Sequence, residues 1–203
     1  MNLDFFLDPS CVFCGQDPGE LAYLCPDCLE DLPFAPQIIH KKNQDFMGSF
    51  LYTGKMKDLL TRYKFEDQRY LKTTLAQLFA KALMEGFPGL SVEGFVVIPS
   101  SPGRKKKRGF DPMDLIGQDL ERVYGLSYKK NILKKHKENP LQIQLSTGQR
   151  EENVQGIFSA CPLKGENLLV LDDILTTGST LGEARKTLLE AGAGEVYGLS
   201  LSY

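Results

Sequence analysis

The chain is 203 residues long, 42% apolar and 25% charged, with a formal net charge of −2. That length suits one ordinary domain with a small appendage, and that apolar fraction suits a packed core, which excludes a disordered chain. No run of about 18 apolar residues occurs, and Met1 to Ser10 has neither a basic n-region nor a long apolar h-region, so neither a membrane span nor a signal peptide is expected and a cytoplasmic protein is.

The net charge hides an asymmetry. Residues 104–150 hold twelve Lys or Arg against five Asp or Glu, and the rest of the chain holds twelve against twenty-one. A basic middle in an acidic protein points to local handling of an anion.

Residues 1 to about 36 lack periodicity and are rich in Cys, Pro and Asp, which sets them apart as a small module ahead of a larger domain, 37–203. The spacing then predicts a strand over 46–54 and helices over 55–65 and 69–86, the second stopped by Gly86. A buried strand at 95–99 is closed by proline and followed by a basic loop, 99–110. Asp111 and Pro112 open a helix that Gly125 ends. A weak strand (126–135), a long polar loop (138–153) and strands at 154–160 and 167–173 follow. The last elements are a helix capped by Ser179 or Thr180 and a strand over 196–203. Strands alternating with helices imply an α/β fold with a mainly parallel sheet covered on both faces.

The five cysteines fall as two close pairs and a single one. Cys11-x-x-Cys14 and Cys25-x-x-Cys28 each aim two thiolates at one ion, and four sulfurs suit a tetrahedral structural zinc, with a rubredoxin-like iron site as the alternative. A segment this short buries little apolar surface, so the metal supplies folding free energy. Cys161 reads as a small buried hydrophobe.

"VLDDILTTGST" (170–180) places Asp172 and Asp173 at the carboxyl end of an apolar strand, where ligands bind in open α/β sheets. The helix start that follows offers unpaired N–H groups and a positive dipole end, which together hold a phosphate. Gly178 admits a close backbone approach, while Thr176, Thr177, Ser179 and Thr180 add hydroxyl donors. Two carboxylates would repel that phosphate, so they face sugar hydroxyls or a Mg²⁺ shell, and the ligand implied is a sugar phosphate. "PSSPGRKKKRGF" (99–110) also follows a strand end. Ser100, Ser101, Arg104 and Arg108 are candidates for an anionic group; the lysines between them read equally as a solvated loop, or as a nucleic-acid contact with Phe110 as a stacking face.

The diacid loop closely resembles the phosphoribosyl-diphosphate (PRPP) fingerprint of type I phosphoribosyltransferases. That resemblance implies ribose hydroxyls on Asp172 and Asp173, the 5′-phosphate on Thr176 to Thr180, and the diphosphate of PRPP on Ser100, Ser101, Arg104 and Arg108. "FFLDPSCVFCG", "YTGKMKDLL", "IPSSPGRKKKRGF" and "QIQLSTGQREENVQGIF", in this order with the diacid loop, resemble the ComF family of competence-associated proteins, which includes ComFC and GntX-like members. The likeness spans nearly the whole chain and implies a four-cysteine, zinc-finger-like module on a type I phosphoribosyltransferase-like domain. It also implies Mg²⁺-PRPP as ligand, a part in uptake of single-stranded DNA, and competence-machinery proteins as partners. Residues 139–153 then correspond to a loop closing over PRPP, with Arg150 a candidate for the diphosphate; in an active transferase Arg150, Asp172 and Asp173 would serve catalysis. Two positions depart from the family pattern: Asp111-Pro112 stand where Asn-Gln is usual, and Val97 stands for a proline. PRPP binding is common to a DNA-uptake protein, a phosphoribosyltransferase acting on a base or amine, and a PRPP-sensing regulator, and no residue set announces a base pocket.

Overall fold

The computed structural model describes residues 9–41, 44–136 and 156–203. A single helical turn, α1 (Pro26–Glu30), follows the first cysteines, and β1 (Phe34–Lys41) then pairs antiparallel with β2 (Gln44–Phe50). The strand expected over 46–54 stops at Phe50, because Thr53 and Gly54 open the helix α2 (Gly54–Phe65). β1 was not legible in the sequence. It carries Pro36, which an edge strand tolerates, and its register slips between Phe34 and Gln37. It also crosses residue 36, where the small module was expected to end.

A 3₁₀ turn (Arg69–Leu71) feeds α3 (Lys72–Lys81), which widens into a π turn at Ala82–Gly86. Next come β3 (Gly94–Val97), α4 (Pro102–Arg108) and α5 (Pro112–Tyr124). The basic segment is thus a helix where a loop was expected. Ser101 sits at its N-cap, Pro102 at its first position, and Gly109 ends it with φ of 80°, a start and stop that outweigh repulsion among the cations. β4 (Leu133–Lys135) pairs antiparallel with β5 (Phe158–Ala160) as a separate ribbon. The chain closes with β6 (Leu168–Ile174), α6 (Ser179–Glu190) and β7 (Val196–Ser202).

The main sheet has the order β1-β2-β7-β6-β3, and all its pairings except β1–β2 are parallel. The carboxyl ends of β3, β6 and β7 therefore share one edge. Alternation along β6 divides the core. Leu169 and Leu171 pack with Leu75, Phe79 and Ile116 of α3 and α5, while Leu168 and Val170 pack with Leu181, Ala184 and Leu188 of α6. Each such fully buried side chain contributes about 1.5–3 kcal/mol. Both faces are covered, as a near-continuous apolar strand requires.

The N-terminal module joins the first of these cores. Cys11, Leu24, Cys25, Cys28 and Leu32 are buried among the residues of α2 and α3. Polar contacts fix the docking: the Gln77 side chain accepts the Ala22 N–H at 2.9 Å and donates to the Glu20 carbonyl at 3.1 Å, and Arg62 donates to the Val12 carbonyl at 3.3 Å.

Candidate functional site

Asp172 and Asp173 belong to the end of β6, as the expected strand over 167–173 had them, and Asp172 is in register with Ser200 of β7. Successive strand residues face opposite ways. Asp172 continues the α6 side, and Asp173 continues the side of α2 and α3. There Lys64 Nζ, in the last turn of α2, lies 2.6 Å from Asp173 Oδ2, with each side chain only 16% exposed. The Asp172 carboxyl is pushed up to about 7, first by burial and then by the Asp173 carboxylate, against the pull of Lys64 and Lys135.

A cavity of about 250 Å³ opens at this edge of the sheet. From the β6–α6 segment it takes Asp172, Asp173, Thr176, Gly178 and Thr180. Facing them, from the β3–α5 segment, are Ser100, Ser101, Arg104 and Arg108. Thr177 and Ser179 lie beside the cavity, their hydroxyls 2.9 Å apart and bonded to each other. The cap of α6 is Gly178, rather than Ser179 or Thr180. Its φ is 76°, and a Cβ there would stand 2.7 Å from the Phe46 ring, so both the left-handed backbone and the neighbouring strand demand glycine.

Asp111, expected as a capping side chain, instead accepts the Ser100 N–H at 2.9 Å and the Ser100 hydroxyl at 3.1 Å, which fixes the turn between β3 and α4. Arg108 is half-buried, its guanidinium 5.4 Å from the Phe65 ring centroid, and burial pulls its pKa down. Arg104 and Lys105 to Lys107 are exposed. Lys105 borders a neighbouring cavity with Lys129, Lys130 and Lys134. Phe110 is not a free stacking face: Arg69 lies 4.6 Å over its ring and Tyr63 meets it edge-on. Arg150, with the whole segment 139–153, lies outside the described residues.

Lys64, Phe65 and Lys135 are among the cavity-wall residues that sequence reasoning missed. Lys64 and Phe65 end a helix whose periodicity marks them only as outward-facing, and Lys135 lies on a three-residue strand.

The four paired cysteines converge, their sulfurs all within 4.8 Å of one another, close enough to hold a zinc ion. Cys14 and Cys25 sulfurs are 3.5 Å apart. Lys55, at the start of α2, donates to Cys28 Sγ at 3.3 Å and to Asp31 at 2.6 Å. Burial pushes the metal-free Cys28 thiol up to about 12. At Cys11 burial also works upward, but hydrogen bonds from the backbone of Cys25, Cys14 and Phe13 prevail and bring the thiol down to about 6. Cys161 is exposed rather than buried, at the end of the β4–β5 ribbon. Among the described residues no helix is long and apolar enough to cross a membrane.

No family model matches the chain. Competence protein F of Haemophilus influenzae is 30% identical over 195 residues, 93% of this chain and 82% of that protein. Competence protein ComFC of Streptococcus pneumoniae is 30% identical over 182 residues, 90% of this chain and 76% of that protein. Phosphoribosyltransferases are among the similar solved structures: an adenine phosphoribosyltransferase covers 86% of this chain and 88% of its own at 19% identity, with a TM-score of 0.43. With two competence proteins matching across nine-tenths of its length, cysteine cluster and sheet together, the chain belongs to the ComF family.

Proposed function

We propose that this ComF-family protein binds PRPP at the carboxyl edge of its sheet, in a domain of residues 37–203 that carries a zinc module of residues 1–36, and that it acts in handling incoming single-stranded DNA. The observation that carries the reading is one cavity with acids and an α-helix start on one wall and cations on the other. Asp172 and Asp173 accept from ribose hydroxyls, the α6 start and Thr176 to Thr180 hold the 5′-phosphate, and Ser100, Ser101, Arg104 and Arg108 take the diphosphate. Mg²⁺ bound with PRPP would supply neutralising charge between diphosphate and acids. Lys64 already offsets one negative charge of the diacid, which lowers the repulsion met by an anionic ligand. In the module, four thiolates around zinc leave a net negative charge, and Lys55 beside Cys28 suits it.

Binding of single-stranded DNA is supported by the family and by the exposed Lys105 to Lys107 on α4, next to Lys129, Lys130 and Lys134. A second reading, transfer of phosphoribose to a base or amine, is favoured by Arg104 and Arg108 on the cavity wall, whose charges would stabilise a departing diphosphate. Calorimetry with Mg²⁺-PRPP tests the binding site: Asp172→Asn and Asp173→Asn should each weaken affinity about ten- to a hundredfold, since a hydrogen bond to a charged group contributes roughly 1.5–3 kcal/mol. Wild-type affinity in the folded double variant sinks the reading. Diphosphate release from PRPP against a panel of bases, run beside single-stranded DNA binding, separates the enzyme from the DNA-handling protein.

A further inference from the structure

The helix α2 is gripped by the N-terminal module at its start and along its flank, and its last turn ends on the cavity wall. Lys55, near its start, donates to Cys28 Sγ at 3.3 Å and to Asp31 at 2.6 Å. Val12 and Phe13 stand between Cys11 and Cys14, and both of them touch the helix. The Val12 carbonyl accepts from Arg62 at 3.3 Å, and the Phe13 ring centroid lies 5.5 Å from Lys55 Nζ and 5.6 Å from the Arg62 guanidinium. The groups that hold α2 are thus a sulfur of one cysteine pair and the turn inside the other, and a single ion on the four sulfurs fixes both. At the far end of the helix, about 14 Å along its axis from Lys55, Lys64 meets Asp173 at 2.6 Å. Each of these two side chains is only 16% exposed, so a shift of the helix end leaves an enclosed carboxylate unpaired and free to turn away from a ligand.

We propose that α2 makes the ribose-phosphate site depend on the zinc module: the metal fixes the turn that grips the helix, and Lys64 at the far end is a positioning residue that holds Asp173 ready for a ribose hydroxyl. This rests on the reading of the cavity as a ribose-phosphate site. Zinc in the module and a sugar phosphate in the cavity then favour each other by the same factor, because both select one placement of α2. Loss of the metal lowers the affinity of the cavity without altering any residue that lines it.

The test measures ribose 5-phosphate binding by calorimetry on the full chain, zinc-loaded and after zinc removal by a chelator, for wild type, Arg62→Ala, Lys64→Met and Lys64→Arg. Zinc removal from wild type should weaken ribose 5-phosphate about fivefold or more, and ribose 5-phosphate should tighten zinc against a competing chelator by the same factor. Arg62→Ala changes neither a zinc ligand nor the cavity wall, and it should still weaken ribose 5-phosphate severalfold in the zinc-loaded protein. Lys64→Met should bind more weakly and lose the response to zinc, while Lys64→Arg, which keeps a cation beside Asp173, should restore both. Equal binding by wild type with and without zinc overturns the proposal, and so does an undiminished zinc response in Lys64→Met. Where zinc removal unfolds the chain, the zinc-loaded Arg62→Ala protein decides: wild-type affinity there overturns the proposal, and weaker affinity upholds it. If ribose 5-phosphate fails to bind zinc-loaded wild type, the ribose-phosphate reading itself falls, and the dependence on zinc falls with it.

Discussion

Asp172→Asn separates what the diacid costs the fold from what it does for a ligand. Burial and the adjacent Asp173 carboxylate raise the Asp172 carboxyl from 3.8 to about 7 in the folded protein. The folded state thus keeps a proton that the unfolded chain releases. Stability is full below the unfolded pKa, falls as pH rises, and reaches its floor once pH passes the folded value. One pH unit is worth about 1.4 kcal/mol. Between pH 5.5 and about 7 the carboxylate therefore costs the fold roughly 2 kcal/mol that asparagine does not. Urea unfolding of both proteins at pH 5.5, 7 and 8.5, without Mg²⁺ or ligand, reads the difference. The stability of the variant relative to wild type should rise by roughly 2 kcal/mol from the first pH to the last, a midpoint shift of about 1 M urea. The same variant should bind PRPP more weakly. A stability difference independent of pH would refute the placement of Asp172 as a half-buried carboxyl crowded by Asp173.

Lys64→Met leaves Asp173 without its partner in a largely enclosed place and should cost about 1–3 kcal/mol in denaturant unfolding, more than an exposed pair and less than a fully buried one; an unchanged midpoint counts against the ion pair. Gly178→Ala forces a side chain into a left-handed backbone and onto Phe46, so thermal unfolding should fall by at least 2–4 °C for each of the roughly 1–2 kcal/mol involved. Metal analysis should give about one zinc per chain, as four thiolates around one ion require, and Cys28→Ser should lose it and loosen the hold of α2 and α3 on Val12 and Ala22, read by hydrogen exchange. Replacing Lys105, Lys106 and Lys107 with Ala keeps α4, since alanine favours helix, and should flatten the salt dependence of single-stranded DNA binding by about 0.7 for each phosphate no longer neutralised.

The strands and helices that line the sheet were legible because burial writes itself into sequence. β6 must be apolar on both faces, so "LLVL" is continuous, and α5 must show an N-cap residue, a first-turn proline and a terminal glycine. β1 was illegible for the converse reason. As an edge strand with Pro36 and a half-exposed pattern, it needs no alternation strong enough to be seen. The basic segment reads as a loop because five successive cations mask its backbone signals. Yet Ser101, Pro102 and Gly109 spell a helix start and stop that act on the backbone, whatever the side chains carry.

At the cavity the legible part is the part that is local. Asp172, Asp173 and the turn into α6 lie within nine residues, so backbone geometry alone brings them together. Lys64 and Phe65 reach the same place only because α2 packs on the Asp173 side of the sheet, an outcome decided by Leu59, Leu60 and Tyr63 burying themselves against the core. Those apolar residues set the rotation of α2, and the rotation leaves its last turn with a cation toward Asp173 and an aromatic toward solvent. Consecutive acids in a strand face opposite ways, so they meet different neighbours. Asp172 continues the α6 side of the strand, and Asp173 forms the ion pair with Lys64. The asymmetry of the diacid, with Asp173 paired to Lys64 and the Asp172 carboxyl pushed up by burial and by Asp173, follows from strand alternation, a property that no reading of the motif as a mere pair of charges contains.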